Sequence, residues 1–287
     1  MPRRPAPPVP ERVDSYTVLK RLGWGGNAAV YLVEGRGKRY ALKQSIVRKS
    51  GKYKSFQREF RTISKLNIPG VVRGHRFGWP LVGGPYLTMD QVPGISAKRW
   101  VHGAGDVDPA EKVERIVSVL TEVTGVLSQL HRHALVHCDI KSNNILVTPQ
   151  GKITLIDFGA VLQLRSLKHP RRRSKFLGTR SSAAPEQSDG SPIGGFSDMY
   201  SLGVLVYTML VGKNPFRGKT AAESSHRQQT VVPPAPADVA PTILPGLSDL
   251  TMQMLSKKAQ DRPTSDEVLR WFADRQDSLH DSRPNPR

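Results

Sequence analysis

The run His137-Cys138-Asp139-Ile140-Lys141-Ser142-Asn143-Asn144 puts an acid, an ammonium and an amide in one short stretch, and Asp157-Phe158-Gly159 adds a second acid 18 residues after the first. Phosphoryl transfer needs a group to accept the proton of the attacking hydroxyl and cations to hold the phosphates. Asp139 suits the first task. Asn144 and Asp157 offer the hard oxygen ligands that Mg²⁺ prefers. Upstream, Gly23-Trp24-Gly25-Gly26-Asn27-Ala28-Ala29-Val30 lies between two strand-like runs. Glycines let main-chain N–H groups approach phosphates without interference from a Cβ; alone, the stretch reads equally well as a hairpin turn without a ligand. Lys43 ends the next apolar strand, where a charge inside a sheet needs a partner. Glu59, on the segment that follows, could supply it; the alternative for Lys43 is a surface lysine.

These groups need strands first and helices later to position them. Residues 18–22 and 29–33 flank the Gly-rich turn as a hairpin. Gly35-Arg36-Gly37-Lys38 is a second turn, leading into a strand at 39–43. Phe56, Phe60, Ile63 and Leu66 recur at helical spacing and predict a helix over 54–66. Residues 71–77 and 85–89 read as two more strands. After Gly94 the pattern turns helical: Val113, Ile116, Val117, Leu120, Val123, Leu127 and Leu130 form a stripe on a helix over 111–133. Residues 145–147 and 153–156 flank a turn at 149–151. Further helices are expected at 198–211, 247–256 and 265–272. The Pro-rich stretch 231–245 reads as a loop, and 1–12 and 277–287 as flexible tails. The expected organisation is one domain over 13–276: a small β-rich lobe over 13–90 with one main helix, then a larger, mainly helical lobe over 91–276.

The chain has 287 residues, 38% of them hydrophobic, and a formal charge of +19. Residues 14–90 hold 15 Lys/Arg against 4 Asp/Glu, a balance of +11. That charge reads as a solvated basic surface, or as a face for acidic proteins, anionic membranes or nucleic acid; no aromatic-rich nucleic-acid signature accompanies it. Cys138 is the only cysteine, so no intramolecular disulfide and no Cys-based zinc site forms within one chain. The first ten residues lack the apolar centre of a secretory signal. The longest apolar run, 202–211, is about half the ~20 residues of a membrane helix. It reads as a buried helix of a soluble, cytoplasmic protein.

Together the motifs resemble a eukaryotic-type Ser/Thr protein kinase of the bacterial single-domain kind, over residues 16–274. The resemblance rests on the Gly-rich loop, Ala41-Leu42-Lys43, Glu59, His137-Cys138-Asp139, Asn144, Asp157-Phe158-Gly159, Ala184-Pro185-Glu186, Asp198-Met199-Tyr200-Ser201-Leu202-Gly203 and Arg262, in family order and spacing. It implies an α+β, bilobal protein-kinase fold and the transfer of the γ-phosphoryl group of Mg-ATP to protein Ser/Thr hydroxyls, autophosphorylation included. By resemblance, Lys43 binds the α/β-phosphates and Glu59 orients it, under a loop formed by Leu22, Gly23, Gly25 and Gly26. Asp139 orients the substrate hydroxyl and takes its proton, and Lys141 steadies the γ-phosphate. Asn144 and Asp157 hold Mg²⁺. Val30, Ala41 and Leu146 sandwich the adenine, Met89 is the gatekeeper, and Asp90 to Val92 form the hinge that pairs with the purine. Ile63, His137 and Phe158 stack in the spine. Glu186 and Arg262 form a buried ion pair, and Asp198 braces the catalytic loop.

Four departures stand out. Ala28 replaces the third glycine of the loop. Cys138 replaces the arginine that, in the family, neutralises a phosphate on the activation segment; its thiol is either redox-sensitive or an inert small residue. The segment between Gly159 and Ala184 carries its own cations, with the tract Arg171-Arg172-Arg173-Ser174-Lys175 either solvated or paired with a phosphate. Ser182 replaces the tyrosine common before Ala-Pro-Glu, while Thr179 keeps the position that contacts the catalytic aspartate. The expectation is intact chemistry without the usual phosphate switch, with Ser166 and Ser174 as the hydroxyls that would test it. A nucleotide-binding pseudokinase or scaffold is the alternative; a small-molecule kinase is disfavoured by Ala184-Pro185-Glu186 and Arg262. Asn143 stands where some kinases that prefer basic substrates carry an acid, so a preference for arginine-rich substrates is not supported, while the +11 of the small lobe slightly favours acidic partners.

Overall fold

The computed structural model describes residues 6–25, 28–47, 50–81, 83–103, 105, 107–165 and 176–275. Two compact units emerge: one runs to Gly94 and takes in Ile156–Gly159, and the other comprises Ile95–Leu155 and the chain from Ala160 onward.

The first unit is a six-stranded antiparallel sheet in the order β1-β2-β3-β4-β6-β5. Its strands are β1 (Arg12–Val13), β2 (Tyr16–Trp24), β3 (Ala28–Gly35), β4 (Lys38–Ser45), β5 (Gly74–Gly78) and β6 (Tyr86–Asp90), with helix α1 (Ser50–Lys65) between β4 and β5. The β3–β4 turn has positive φ at both central residues, Arg36 (53°) and Gly37 (70°), the backbone that matches the twist of two hairpin strands. Its sheet core is Val13, Tyr16, Ala29, Tyr31, Val33, Leu42 and Tyr86, the strand-favouring residue types. Helix α1 turns Phe56, Glu59 and Ile63 inward, the i, i+3, i+7 spacing of one helix face. Gly74 lets it lie close, since a Cβ there would come within 2.7 Å of Ile63 Cγ1.

The second unit holds short strands β7 (Ile95–Ser96), β8 (Leu135–Val136), β9 (Ile145–Val147), β10 (Ile153–Leu155) and β11 (Leu162–Gln163). They form the sheets β10-β9-β7 and β11-β8. Its helices are α2 (Ala97–His102), α3 (Pro109–Arg132), α4 (Glu186–Asp189), α5 (Gly195–Val211), α6 (Ala221–Thr230), α7 (Pro236–Val239), α8 (Pro245–Met254) and α9 (Ser265–Ala273). The Asp108 carboxylate caps α3, accepting from the Ala110 and Glu111 N–H groups at 2.8 and 3.3 Å, with Pro109 in the first turn, a position where a missing N–H costs nothing. Helix α5 is buried over most of its surface, as a helix apolar all round must be. Gly203 sits where a Cβ would be 2.8 Å from Met254 Cβ, so α8 approaches α5 closely.

The fold is the expected α+β arrangement, a β-rich part followed by a helical part. Three expectations change. Stretch 231–245 is not wholly loop: Pro236 starts the turn α7, closed by Ala240 N–H on the Pro236 carbonyl at 2.9 Å. The described part of tail 1–12 is tied down: Arg21 donates to the Pro7 carbonyl at 2.6 Å and Val18 N–H to the Glu11 carbonyl at 2.9 Å, and Arg12 pairs with Thr17 in the sheet. The strand expected from residue 71 begins at Gly74. The tail 277–287, the tract 171–175, Ser166 and Ser174 lie outside the described residues, as does Gly26 of the Gly-rich loop.

Candidate active site

In the first unit Lys43 faces Val30 on β3 and Leu87 on β6. Its ammonium donates to both oxygens of Glu59, at 2.8 and 3.0 Å, and to Asp157 Oδ1 at 2.7 Å. Burial by itself pushes the Lys43 pKa down, but the Glu59 and Asp157 carboxylates outweigh it and hold the group above the ordinary lysine value. Glu59 is 3% exposed; burial pushes its carboxyl up, while Lys43 opposes that shift. The ammonium within hydrogen-bond reach of both oxygens marks this as an ionised pair. Asp157 has φ 64°, the left-handed region that a non-glycine residue occupies only when its surroundings enforce it. Gly159 then passes so close that a Cβ would lie 3.2 Å from Glu59 Oε2 and 3.3 Å from Asp157 Oδ1.

The Gly-rich hairpin places Gly23 opposite Val30, past a register shift in β2, and closes with Gly25 N–H on the Ala28 carbonyl at 2.9 Å. A Cβ added at Gly23 or Gly25 would meet nothing within 4 Å. Packing among the described residues therefore does not demand glycine there. Ala41 pairs with Met89 across β4 and β6, both buried, while Leu22 is exposed and Val30 half-buried. Asp90 donates its N–H to the Arg73 carbonyl at 3.0 Å and bonds His75 Nε2 through Oδ1 at 2.6 Å. The Val92 carbonyl accepts from Gly94 at 2.9 Å.

In the second unit Asp139 is 9% exposed. Its Oδ2 accepts from Lys141 Nζ at 2.7 Å and from Asn144 Nδ2 at 3.0 Å. Its Oδ1 is buried with no hydrogen-bond partner among the described residues. Asn144 also donates to the Asp139 carbonyl at 2.9 Å, which commits its amide nitrogen and leaves the amide oxygen as the end able to meet a cation. Asp198, fully buried, accepts the N–H groups of His137 and Cys138, each at 2.8 Å, and bonds His131 Nε2 at 3.0 Å. Lys141 also donates to Thr179 Oγ1 at 2.8 Å, so the contact expected between Thr179 and Asp139 runs through Lys141. Leu146 lies in the middle of β9, half-buried, opposite Thr154 and Ser96.

Arg262 meets Glu186 with two nitrogens, at 2.7 and 3.0 Å, and donates besides to the carbonyls of Ser256, Lys257 and Phe196. Breaking a buried pair of this kind costs about 3–5 kcal/mol. Cys138 is 1% exposed and packs with Val136, Leu162, Leu164 and Ile193. Sequence reasoning does not single out Gln187. Yet its Nε2 donates to the carbonyls of Cys138 (2.9 Å) and Leu177 (3.0 Å), and its Oε1 accepts from Ala184 N–H at 2.8 Å. A pocket of about 460 Å³ lined by Ser96, Lys98, Arg99, His102, Ser142 and Asn143 is likewise absent from the motif pattern.

Within the first unit the half-buried Lys43 ammonium suits a phosphate and the Asp157 carboxylate is a hard donor of the kind Mg²⁺ takes; within the second, the Asn144 amide oxygen is a donor of the same kind. Residues 16–272 match the family model of the protein kinase domain. Among curated proteins the chain is similar to the DNA damage-responsive serine/threonine-protein kinase RqkA of Deinococcus radiodurans, at 30% identity over 270 residues, covering 91% of this chain and 40% of that protein. It is similar to the serine/threonine-protein kinase Pkn1 of Myxococcus xanthus, at 31% over 277 residues, 92% of this chain and 38% of that one. It is similar, too, to the serine/threonine-protein kinase PknB of Mycolicibacterium smegmatis, at 28% over 265 residues, 87% and 41% respectively. The chain thus spans about two fifths of the length of these relatives. With the family model matched from the first long strand to the last helix, this chain belongs to the protein kinase domain family.

Proposed function

We propose that the chain is an active serine/threonine kinase that transfers the γ-phosphoryl group of Mg-ATP to protein hydroxyls, its own included. The observation that carries this is Asp139. Two donors hold one of its oxygens in place, and the other is buried without a partner among the described residues. Such an oxygen keeps a lone pair for the proton of a substrate hydroxyl once substrate binding uncovers it. As the hydroxyl oxygen bonds to the γ-phosphorus, the bond from that phosphorus to the β–γ bridging oxygen breaks. ADP leaves with the electron pair, and the hydroxyl proton passes to Asp139. Lys141 balances charge beside the reacting group. Lys43, oriented by Glu59, holds the α/β-phosphates under Leu22, Gly23, Gly25 and Gly26. Val30, Ala41 and Leu146 contact the adenine, Met89 limits its pocket, and the main chain of Asp90 and Val92 pairs with it. Asn144 and Asp157 would hold Mg²⁺, which neutralises phosphate charge when bound.

The pocket beside the catalytic loop supports an acidic substrate. Lys98 and Arg99 supply positive charge there, Ser142 and Asn143 supply hydrogen bonds, and no carboxylate is among its lining residues. Burial, then Lys112 and Lys98, lower the His102 pKa, so the imidazole adds no charge at neutral pH. Contact of the basic small lobe with nucleic acid or membranes has only net charge behind it.

The test is phosphate incorporation from Mg-ATP into a generic protein substrate, and into the chain alone. We expect phosphoserine or phosphothreonine with the parent. Asp139→Asn should lower kcat roughly 10²–10⁴-fold, and Lys43→Met and Asp157→Asn should abolish transfer. A folded parent that binds nucleotide and transfers nothing would make the chain a pseudokinase.

A further inference from the structure

Cys138 has φ 63°, and Asp198 holds its N–H. Two elements meet the carbonyl of the same residue. Gln187 donates to it, and Gly178, at φ 89°, lies so near that a Cβ would collide with the oxygen. The Gln187 amide is 5% exposed. With one nitrogen and one oxygen it ties three main-chain points: the catalytic loop at 138, the substrate-side segment at 177, and the far end of that segment at 184. Between the tied points Thr179 accepts from Lys141, which holds Asp139.

We propose that Gln187 is a positioning residue that clamps segment 177–184 to the catalytic loop through the Cys138 carbonyl, keeping the Thr179–Lys141–Asp139 chain aligned without a phosphate. A phosphate would order such a segment by charge-assisted bonds to nearby cations. The side chain at 138 offers none, being a thiol buried among apolar neighbours. The amide acts by neutral bonds to main-chain atoms, which no phosphatase removes. The activity readout of this inference rests on the kinase reading; the exchange readout does not.

Gln187→Glu is the incisive variant. It keeps the shape and the acceptor for Ala184 N–H, but loses both N–H donors and sets a carboxylate against two carbonyls. Leaving buried acceptors unpaired should cost roughly tenfold or more in the population of the aligned segment. We expect phosphatase-treated parent to keep its activity within about twofold. We expect Gln187→Glu to lower kcat/KM for a peptide roughly tenfold with KM for ATP unchanged, a split that general loosening of the fold would not give. Amide hydrogen exchange over 177–184 should quicken by about the same factor, with exchange in α3 and α5 unchanged. Gly178→Ala, which strikes the same contact from the other side, should repeat the pattern and serves if Gln187→Glu does not fold. Unchanged exchange at 177–184 in a folded variant overturns the clamp, and so does a parent that phosphatase inactivates. An inactive parent whose variant still exchanges faster over 177–184 sinks the kinase reading and upholds the clamp.

Discussion

The sulfur of Cys138 lies 3.6 Å from the Val136 carbonyl, inside a cluster with Leu162, Leu164 and Ile193. A reactive thiolate needs access and nearby positive charge; a thiol this buried lacks the first, which favours the inert reading of the cysteine. Restoring the family's arginine would put a guanidinium where apolar side chains now pack. We therefore expect Cys138→Arg to lower stability by about 2–5 kcal/mol and Cys138→Ala by about 1 kcal/mol, compared by urea melts; an unchanged midpoint for the arginine variant would show that the cluster opens at little cost. At this scale the sequence was informative where charge and spacing coincide. Lys43, Glu59 and Asp157 converge as their types suggest, and so do Asp139, Lys141 and Asn144. Gln187 was illegible, because an uncharged residue shows neither period nor need for a counter-charge. Its role exists only where three separate stretches meet.

Lys257 links helices rather than residues. Its ammonium lies 4.2 Å from the Phe216 ring centre and 5.6 Å from that of Tyr200 on α5, and donates to the Gln228 carbonyl on α6 at 2.8 Å. Burial, then the Arg262 charge, push its pKa down to about 8 from 10.5. Below pH 8 the folded and unfolded chains both hold this proton; between pH 8 and 10.5 only the unfolded chain does. The contribution of Lys257 to stability therefore rises with pH across that window. The difference in unfolding free energy between parent and Lys257→Met should climb from pH 7.5 to pH 10, by less than the full shift implies because the ammonium is partly solvated; a flat difference would show an ordinary lysine. Long amphipathic elements such as α1 and α3 were readable from their apolar stripes. Helices α2 and α6 were not. The first has six residues, and the second buries only Ser224 and Gln228, which leaves no hydrophobic period. Only Thr220 and Glu223 betray α6: the Thr220 side chain accepts from Glu223 N–H, the Thr-x-x-Glu spacing of a helix start.

Over the whole chain the formal charge of +19 acts at long range, and no helix among the described residues is long and apolar enough to cross a membrane. If Lys98 and Arg99 read acidic substrates, kcat/KM for an acidic peptide should exceed that for a neutral one at low salt. The excess should fade as salt shortens the Debye length from about 10 Å at 0.1 M towards about 3 Å at 1 M. Lys98→Glu with Arg99→Glu should reverse the preference while the neutral peptide keeps its rate within about threefold, the small change expected of rim charges. A parent indifferent to peptide charge at low salt would show that these cations only solvate the surface.

The catalytic loop at position 138 is held by main-chain atoms: its N–H by Asp198 and its carbonyl by Gln187. Every amino acid except proline carries both groups. The anchoring bonds therefore do not depend on which side chain stands there, though the left-handed backbone at 138 disfavours β-branched residues, and beyond that the side chain answers to the pocket around it. Such a site gives mutational latitude: an arginine can drift to a cysteine, once the neighbouring residues turn apolar, without the catalytic loop losing its footing. Positions 187 and 198 have no such latitude, because there the side chain itself does the holding.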